Sequence, residues 1–223
     1  MVVFENPLLL GAIGAGLAVG IAGLGSGIGA GITGASGAGV IAEDSSKFGT
    51  AIVFQALPQT QGLYGFLVAI LILFVFKTAP EWAMLGAGLA TGLAGLSAIG
   101  QGIASSAGLG AVAEDDSIFG KAMVFSVLPE TQAIYGLLVS ILLLVGVFSG
   151  DGVATIAALG AGLAVGFAGL SGIGQGITAA GAIGATARDS DAMGKGLVLA
   201  VMPETFAIFG LLIAILIMLG IMF

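Results

Sequence analysis

Apolar residues run along this chain in six long blocks that short polar segments separate. The blocks lie at about 7–42, 48–77, 80–113, 119–148, 152–187 and 193–223. Each is longer than the roughly 20 residues that an α-helix needs to cross a bilayer. At about 1.5 Å per residue, such helices would tilt or project beyond the hydrocarbon. The pattern therefore predicts an all-α membrane protein with six transmembrane helices.

The chain repeats itself three times. A Gly-rich octet begins at Ser26, Ser97 and Ser171, with offsets of 71 and 74 residues. A polar segment follows each octet, and then comes a second marker, which reads LPQTQGLY from Leu57, LPETQAIY from Leu128 and MPETFAIF from Met202. Because each unit holds two apolar blocks, the sequence predicts three tandem helical hairpins, which are 1–78, 79–149 and 150–223.

The composition supports a membrane location and excludes several other classes. Only 8% of the 223 residues are charged and the mean hydropathy is +1.21, whereas soluble domains carry about 25% charged residues. With 5 Lys and Arg against 12 Asp and Glu, and with no Cys or His, the chain is not a nucleic-acid binder or a disulfide scaffold. It also lacks the Gly-x-x-x-x-Gly-Lys sequence of a nucleotide-binding loop, so we expect no catalytic site and no cofactor.

Glycine is concentrated in the first helix of each unit. The chain has 41 Gly, and those in the first helices recur at spacings of three and four. Small residues at this spacing let transmembrane helices approach closely. We therefore expect three narrow helices crowded into an inner layer, with bulkier helices outside. The stripes comprise Gly16, Gly20, Gly23, Gly27 and Gly31, then Gly88, Gly92 and Gly95, then Gly162, Gly166 and Gly169.

The basic residues predict the orientation in the cell membrane. Four of the five lie at the polar loops within the hairpins, and only Lys77 lies at the other side. The positive-inside rule places these loops in the cytoplasm, with both termini on the outer side. The loops at 43–48, 114–118 and 188–192 could be plain solvated turns or docking points for a cytoplasmic partner.

Two acidic residues stand apart from the other ten. Glu130 and Glu204 each follow a polar loop by enough residues to lie about 16 Å along a helix, near the middle of the membrane. A charge there costs at least about 2.5–3.5 kcal/mol, so the carboxyl group must be protonated, paired or bound to a cation. Either both are neutral acids that bond neighbouring helices, or they form reversible cation or proton sites.

Oxygen-bearing side chains surround these positions in the sequence. Thr131, Gln132 and Tyr135 follow Glu130, and Thr60, Gln61 and Tyr64 occupy the same places in the first repeat. Spacings of three and four put these side chains on one flank of a helix. The Pro in each second marker loosens the helix, so that backbone carbonyls can face a ligand. Hydroxyl, amide, carbonyl and carboxylate oxygens suit a hard cation.

The Gly-rich first helices, the Leu-Pro-Glu-Thr-Gln second helices and the polar loops together resemble the rotor-ring proteolipid (c/K-type) subunits of archaeal and vacuolar rotary ATPases, in a three-hairpin form. The resemblance implies a homo-oligomeric ring in contact with lipid, cytoplasmic central-stalk subunits at the loops, and a stator subunit that supplies an Arg. It also implies a non-catalytic subunit that carries cations in step with ATP synthesis or hydrolysis. In sodium-binding members, ligands come from two adjacent hairpins, and a Tyr holds the Glu.

Carried over by position, the resemblance implies two complete sites. The first has the Leu57 carbonyl, Thr60, Gln61, Gln101 and Glu130 around Na⁺, with Tyr64 on the carboxylate. The second has the Leu128 carbonyl, Thr131, Gln132, Gln175 and Glu204, with Tyr135 on the carboxylate.

A third site, between hairpin 3 and hairpin 1 of another copy, has lost its pattern. Four positions differ, and these are Ala30, Gln59, Phe206 and Phe209. The losses lie at opposite ends of the chain but fall at one interface, which supports the ring. The Thr-Gln-Gln-Tyr set kept at the other two sites favours Na⁺ over H⁺, because a proton needs only the Glu. H⁺ transport stays open as the alternative, and a three-repeat cation channel or secondary transporter is a further one. The Gln residues could also be plain helix–helix hydrogen bonds.

Overall fold

The computed structural model describes residues 8–146 and 156–220, and this part of the chain is helical and contains no β-strand. The predicted outer location of both termini falls on residues outside these ranges. The helices have the following bounds: α1 Leu8–Glu43, α2 Phe48–Ala56, α3 Thr60–Ile70, α4 Glu81–Ala94, α5 Ser97–Glu114, α6 Phe119–Val127, α7 Thr131–Val145, α8 Ala157–Ala168, α9 Ser171–Arg188, α10 Met193–Val201 and α11 Glu204–Met218.

These helices join into six spans long and apolar enough to cross a membrane, which confirms the predicted all-α membrane fold. We number the spans 1 to 6 in chain order, and they are Leu9–Glu43, Ser45–Val75, Glu81–Glu114, Asp116–Val145, Ala157–Arg188 and Ser190–Met218.

Each hairpin turns in the same way. Asp44, Asp115 and Asp189 have extended backbones, and each side chain accepts a hydrogen bond from the backbone N–H two residues later, at the start of a 3₁₀ turn. At Asp115, hydrogen bonds from the Ser117 side chain and backbone lower the pKa of the carboxyl group. The loops thus have a fixed shape, because an Asp cap satisfies N–H groups that a helix start leaves free.

Spans 1, 3 and 5 form an inner layer, and spans 2, 4 and 6 pack outside them. Span 3 lies between spans 1 and 5, because α4 and α5 pack on α1 on one side and on α8 and α9 on the other. Span 3 is also the most buried of the six. The three hairpins therefore stand side by side in chain order, with free edges at hairpin 1 and hairpin 3.

Glycines allow the inner spans to touch backbone to backbone. A Cβ added at Gly88 would lie 2.0 Å from the Gly14 carbonyl oxygen, and one at Gly162 would lie 2.1 Å from the Gly86 carbonyl oxygen. Any side chain there would force the helices apart. The predicted stripes of spans 3 and 5 thus lie at close helix contacts. The predicted stripe of span 1 does not, because Gly16, Gly20, Gly23, Gly27 and Gly31 have nothing within 4 Å, and span 1 touches span 3 through Gly14, Gly25 and Gly29 instead.

Spans 3 and 5 tighten at a Gly-Leu pair, whereas span 1 is continuous there. In span 3 the N–H of Leu96 donates to the Leu93 oxygen, and the N–H of Ala98 donates to the Gly95 oxygen, each over 3.1 Å. Spans 3 and 5 have one residue fewer than span 1 between the Ala-Gly-Leu and the Ser of this segment. A 3₁₀ residue turns about 20° more than an α residue, so about five tightened residues replace the turn of the missing one. In spans 3 and 5, side chains after the tightened segment therefore point in the same direction as their counterparts in span 1.

A pair of buried hydroxyls joins spans 3 and 4 in the half of hairpin 2 that lies away from its loop. Thr91 Oγ1 lies 2.7 Å from Ser140 Oγ, which also lies 2.6 Å from the Ala87 carbonyl oxygen. Both side chains are fully buried. Val19 and Ala69 occupy these places in hairpin 1, and Val165 and Ala214 in hairpin 3. The pair thus belongs to hairpin 2 alone among the three repeats.

Candidate cation-binding sites

The carboxylate of Glu130 lies at the interface between hairpins 1 and 2. Short 3₁₀ turns at Leu57–Gln59 and Leu128–Glu130 interrupt spans 2 and 4 at the Pro of each second marker. From span 2, the Tyr64 hydroxyl donates to Glu130 Oε1 over 2.5 Å. From span 3, Gln101 Nε2 lies 3.5 Å from Glu130 Oε2. Donors from two spans thus hold both oxygens of a half-buried carboxylate.

Two fully buried amides extend this network across the interface. Gln61 Nε2 donates to Gln101 Oε1 over 2.5 Å, and both side chains have 0% exposure. A buried amide needs such partners, because a buried donor or acceptor without a hydrogen bond costs about 1–3 kcal/mol. The two Gln therefore couple the second helix of hairpin 1 to the first helix of hairpin 2.

The remaining oxygens of this site are the Thr60 hydroxyl and the Leu57 carbonyl, which lie beside Gln61 on span 2. Thr60 Oγ1 lies 3.0 Å from the Leu57 carbonyl oxygen and 3.0 Å from Gln61 Oε1. The hydroxyl has one proton and can serve one of these acceptors at a time. The structure thus brings together all six residues of the first site that the sequence predicted.

The second site repeats this geometry between hairpins 2 and 3. The Tyr135 hydroxyl donates to Glu204 Oε1 over 2.7 Å, and Gln175 Nε2 donates to Glu204 Oε2 over 3.2 Å. Gln132 Nε2 donates to Gln175 Oε1 over 2.7 Å.

Thr131 completes the second site as Thr60 completes the first. Its Oγ1 lies 3.0 Å from the Leu128 carbonyl oxygen and 3.2 Å from Gln132 Oε1. The two interfaces inside the chain therefore carry the same set of groups in the same pairing.

The donors to both Glu side chains are uncharged. Among the residues that the structure describes, the one ion pair joins Lys47 to Asp116 at the hairpin loops. Neither Glu130 nor Glu204 therefore meets a basic side chain within the described chain. In a low-dielectric layer, a carboxylate held by neutral donors is stabilised further by a proton or a cation. The arrangement can thus take up and release one positive charge.

The four residues at which the third site lost its pattern lie apart, at the two free edges of the chain. Gln59 is exposed at the edge of hairpin 1, where its Nε2 donates to the Gln55 carbonyl oxygen over 3.1 Å. Ala30 lines the same open groove as Gln59. At the edge of hairpin 3, Phe206 and Phe209 pack edge to face with ring centroids 6.3 Å apart. The single chain does not bring these two halves together.

Two residues near the sites were missed in the sequence. Ser26 Oγ accepts a hydrogen bond from the Gly62 N–H over 2.8 Å and so ties span 1 to span 2 beside the open groove of hairpin 1. Gln55 Nε2 lies 3.4 Å from the Ala30 carbonyl oxygen. The spacing of four between Gln55 and Gln59 was a signal that both lie on one helix face.

Comparison with known proteins identifies the class to which these paired hairpins belong. The family model for the C subunit of ATP synthase matches the chain three times, at residues 13–72, 85–143 and 159–217. The chain belongs to this family. It is accordingly a non-catalytic, multi-pass membrane protein in the rotor of an A-type or V-type rotary ATPase, as the resemblance implied.

Individual relatives agree with the family match. The A-type ATP synthase subunit K of Methanocaldococcus jannaschii is 89% identical over 215 residues, which are 96% of this chain and 98% of the relative. The V-type sodium ATPase subunit K of Enterococcus hirae is 38% identical over 126 residues, 54% of this chain and 81% of the relative. The A-type ATP synthase subunit K of Sulfolobus acidocaldarius is 45% identical over 62 residues, 28% of this chain and 61% of the relative.

Proposed function

We propose that this chain forms a homo-oligomeric rotor ring that carries Na⁺ across the membrane at Glu130 and Glu204, coupled to ATP synthesis or hydrolysis. The observation that supports this most directly is the pair of identical networks, in which Tyr64 and Gln101 hold Glu130, and Tyr135 and Gln175 hold Glu204. Each network joins two hairpins, so binding is a property of the interface.

Cation binding would neutralise the carboxylate at each site. A neutral site can turn through lipid, whereas a bare carboxylate there costs several kcal/mol. Release needs a competing positive charge, which we assign to an Arg on the stator subunit. That Arg would pair with the Glu while the ion leaves, and a new ion would displace it. This chain contributes the carboxylate, and Tyr64 or Tyr135 keeps it pointed at the site.

Sodium fits the donor set better than a proton does. Besides the carboxylate, each site offers a carbonyl, a hydroxyl and two amide groups, which are the oxygen ligands that hard cations take. A proton would need only the Glu. The similarity to a protein named a V-type sodium ATPase subunit K also supports Na⁺. H⁺ is the alternative cargo, and the experiment below separates the two.

Hairpin 1 would carry no ion. Gln59 has a neutral amide where the other hairpins have Glu130 and Glu204, so two of every three hairpins would carry a cation. A full turn of the ring would move fewer ions than the ring has hairpins. We assign the hairpins to 1–78, 79–149 and 150–223. We also place their loops at 43–48, 114–118 and 188–192 in the cytoplasm against central-stalk subunits.

Labelling of the purified assembly with a carboxyl-reactive carbodiimide tests this proposal. At fixed pH, we expect Na⁺ to suppress labelling at Glu130 and Glu204, and K⁺ at equal ionic strength to leave it unchanged. Glu130→Gln and Glu204→Gln should each remove one of two adducts. Labelling that responds to pH and not to Na⁺ would assign the cargo as H⁺. Adducts confined to other acids would contradict the site assignment.

A further inference from the structure

The free edges of the chain carry residues whose counterparts in the interior are fully buried. Phe206 is 63% exposed, whereas Gln61 and Gln132 at the same place in repeats one and two are 0% exposed. Thr205 and Phe209 are exposed as well, whereas Thr131 is half-buried. These residues lie on one face of span 6. The equivalent faces of spans 2 and 4 are packed against the next hairpin. The face of span 6 is exposed in the single chain.

Glycines on the inner spans show the same relation and give the register. A Cβ at Gly102 would lie 2.3 Å from the Gly29 oxygen, and one at Gly176 would lie 2.0 Å from the Gly100 oxygen. Their counterpart Gly31, on span 1, has nothing within 4 Å. Gly174, the counterpart of Gly29 and Gly100, meets only one side-chain atom, at 3.9 Å. The two open positions therefore match each other as the interior pairs do.

The loops add an independent third point. Lys47 Nζ pairs with Asp116 of the following hairpin over 2.5 Å, and Lys121 Nζ donates to Ser190 of the following hairpin over 2.8 Å. Asp116 and Ser190 are each the first residue of the loop 3₁₀ turn, and Ser45 is the first residue in hairpin 1. Lys195 stands in hairpin 3 where Lys121 stands in hairpin 2. Within the described chain, Lys195 and Ser45 thus remain as a lysine and an acceptor without such a pairing, at opposite edges.

We propose that hairpin 3 of one copy packs on hairpin 1 of the next in this same register, and that Phe206 and Phe209 make the joint a sealed interface that takes no cation. This rests on the proposed ring. In that register Phe206 takes the place of Gln61 and lies against Ala30, which takes the place of Gln101. Gly31 of one copy lies against Gly174 of the other, and Lys195 donates to Ser45.

The substitutions at this joint compensate one another. At the interior interfaces, two medium-sized amides meet, as Gln61 and Gln101 do. At the joint, a large ring meets a small methyl group, which fills a similar volume without a polar group. Phe209 lacks the hydroxyl that would bind a carboxylate. Gln59, which stands in the place of the Glu, lacks the carboxylate itself. Restoring the Glu alone would therefore not restore the site, because the two amide groups and the Tyr hydroxyl around it would still be missing.

A pair of matched variants tests the register. Gly31 and Gly39 both lie on span 1 with open space around them in the single chain. The counterparts of Gly39, which are Gly110 and Gly184, are open too. We expect Gly31→Leu to abolish the large assembly on native mass measurement while helix content by circular dichroism is unchanged. Gly39→Leu should assemble as the unmodified chain does.

The outcomes separate the register from the ring itself. Assembly of the Gly31→Leu chain at unchanged mass would overturn the register, as would loss of assembly in both variants. An unmodified chain of monomer mass would instead refute the ring on which the proposal rests. Coupling of Lys195→Cys to Ser45→Cys by a short bismaleimide should also give a ladder of linked chains, since the chain has no Cys of its own. Coupling of Lys121→Cys to Ser190→Cys should stay within one chain.

Carbodiimide labelling tests whether the joint takes a cation. We expect Gln59→Glu to add a third adduct that Na⁺ does not suppress. Adding Ala30→Gln, Phe206→Gln and Phe209→Tyr to it should make that adduct respond to Na⁺ as the other two do. Suppression by Na⁺ in the Gln59→Glu chain would overturn the sealed joint. Adducts at Glu130 and Glu204 that ignore Na⁺ would count against the proposed cargo instead.

Discussion

The Tyr64 hydroxyl donates to Oε1 of Glu130 over 2.5 Å, although the two residues are 66 positions apart in the chain. Tyr135 and Glu204 form the same bond over 2.7 Å at a separation of 69 positions. In both cases the Tyr belongs to the hairpin before the one that carries the Glu. Each carboxylate is therefore oriented by a neighbouring hairpin, and its properties depend on how the hairpins pack.

Removing the hydroxyl of Tyr64 should weaken the first site alone. A hydrogen bond to a charged group contributes about 1.5–3 kcal/mol. We therefore expect Tyr64→Phe to raise the Na⁺ concentration for half-protection of Glu130 about tenfold or more. Carbodiimide labelling at fixed pH measures this, and Glu204 in the same chain is the control. Equal shifts at both Glu would mean that the effect is not local.

Removing a buried amide should destabilise the fold as well as the site. Gln132→Leu takes away the donor to Gln175 Oε1 and leaves a fully buried oxygen unpaired. The expected loss is about 1–3 kcal/mol in the free energy of unfolding, measured from thermal unfolding in detergent. Gln55→Leu, which removes a long 3.4 Å bond, is the control and should cost less. An equal cost for the two variants would contradict this reasoning.

The hydroxyl pair of hairpin 2 offers a double-mutant cycle. Ser140→Ala leaves the buried Thr91 hydroxyl without its partner on span 4. It should cost about 0.6 kcal/mol of unfolding free energy, the average for such bonds between membrane helices, and at most about 1.7 kcal/mol. Thr91→Val with Ser140→Ala recreates the Val and Ala of hairpins 1 and 3. We expect the double variant to be at least as stable as Ser140→Ala, because residues in contact are not additive. Simple addition of the two single losses would rule out a coupled pair.

The loop caps should make stability fall in acid. Hydrogen bonds from Ser117 lower the pKa of Asp115 in the folded chain. Their stabilisation is complete above the unfolded value near 4 and is lost as the pH falls through the folded value. We expect Asp115→Asn to reduce the drop in unfolding temperature between pH 5 and about pH 2, because Asn caps at every pH. If the unfolding temperature of this variant falls as much in acid as that of the unmodified chain, Asp115 does not cause the fall.

Much of the fold could be read from patterns that local physics fixes. Six apolar blocks of sufficient length require membrane-spanning helices, since backbone groups in lipid must bond within their own segment. The Gly spacing predicted the close contacts of spans 3 and 5, which Gly88 and Gly162 make, but the glycines that it named on span 1 face open space in the single chain. Residue counting alone also predicted that Glu130 and Glu204 lie near the middle of the membrane. That each site draws on two hairpins came from resemblance to a family, because spacing within one helix says nothing about the next.

Other features have no local signature. The tightened turns at Gly95 and Gly169 compensate for one missing residue, and only the packed helices show that compensation. The bond of Ser26 to the Gly62 N–H and the Thr91–Ser140 pair were equally invisible, because Ser and Thr in helices most often bond to their own backbone. Choosing another partner requires a second helix at the right distance.

By itself, the sequence determined the six helices, the three repeats and the two carboxyl groups within long apolar spans, because hydrophobicity and helix rise act along one segment at a time. Only the tertiary structure decided which donors meet each carboxylate, and it left Phe206 and Gln59 exposed at opposite edges. Those contacts depend on the distance and rotation between helices. Close packing of Gly backbones sets that geometry, and the residue order does not state it.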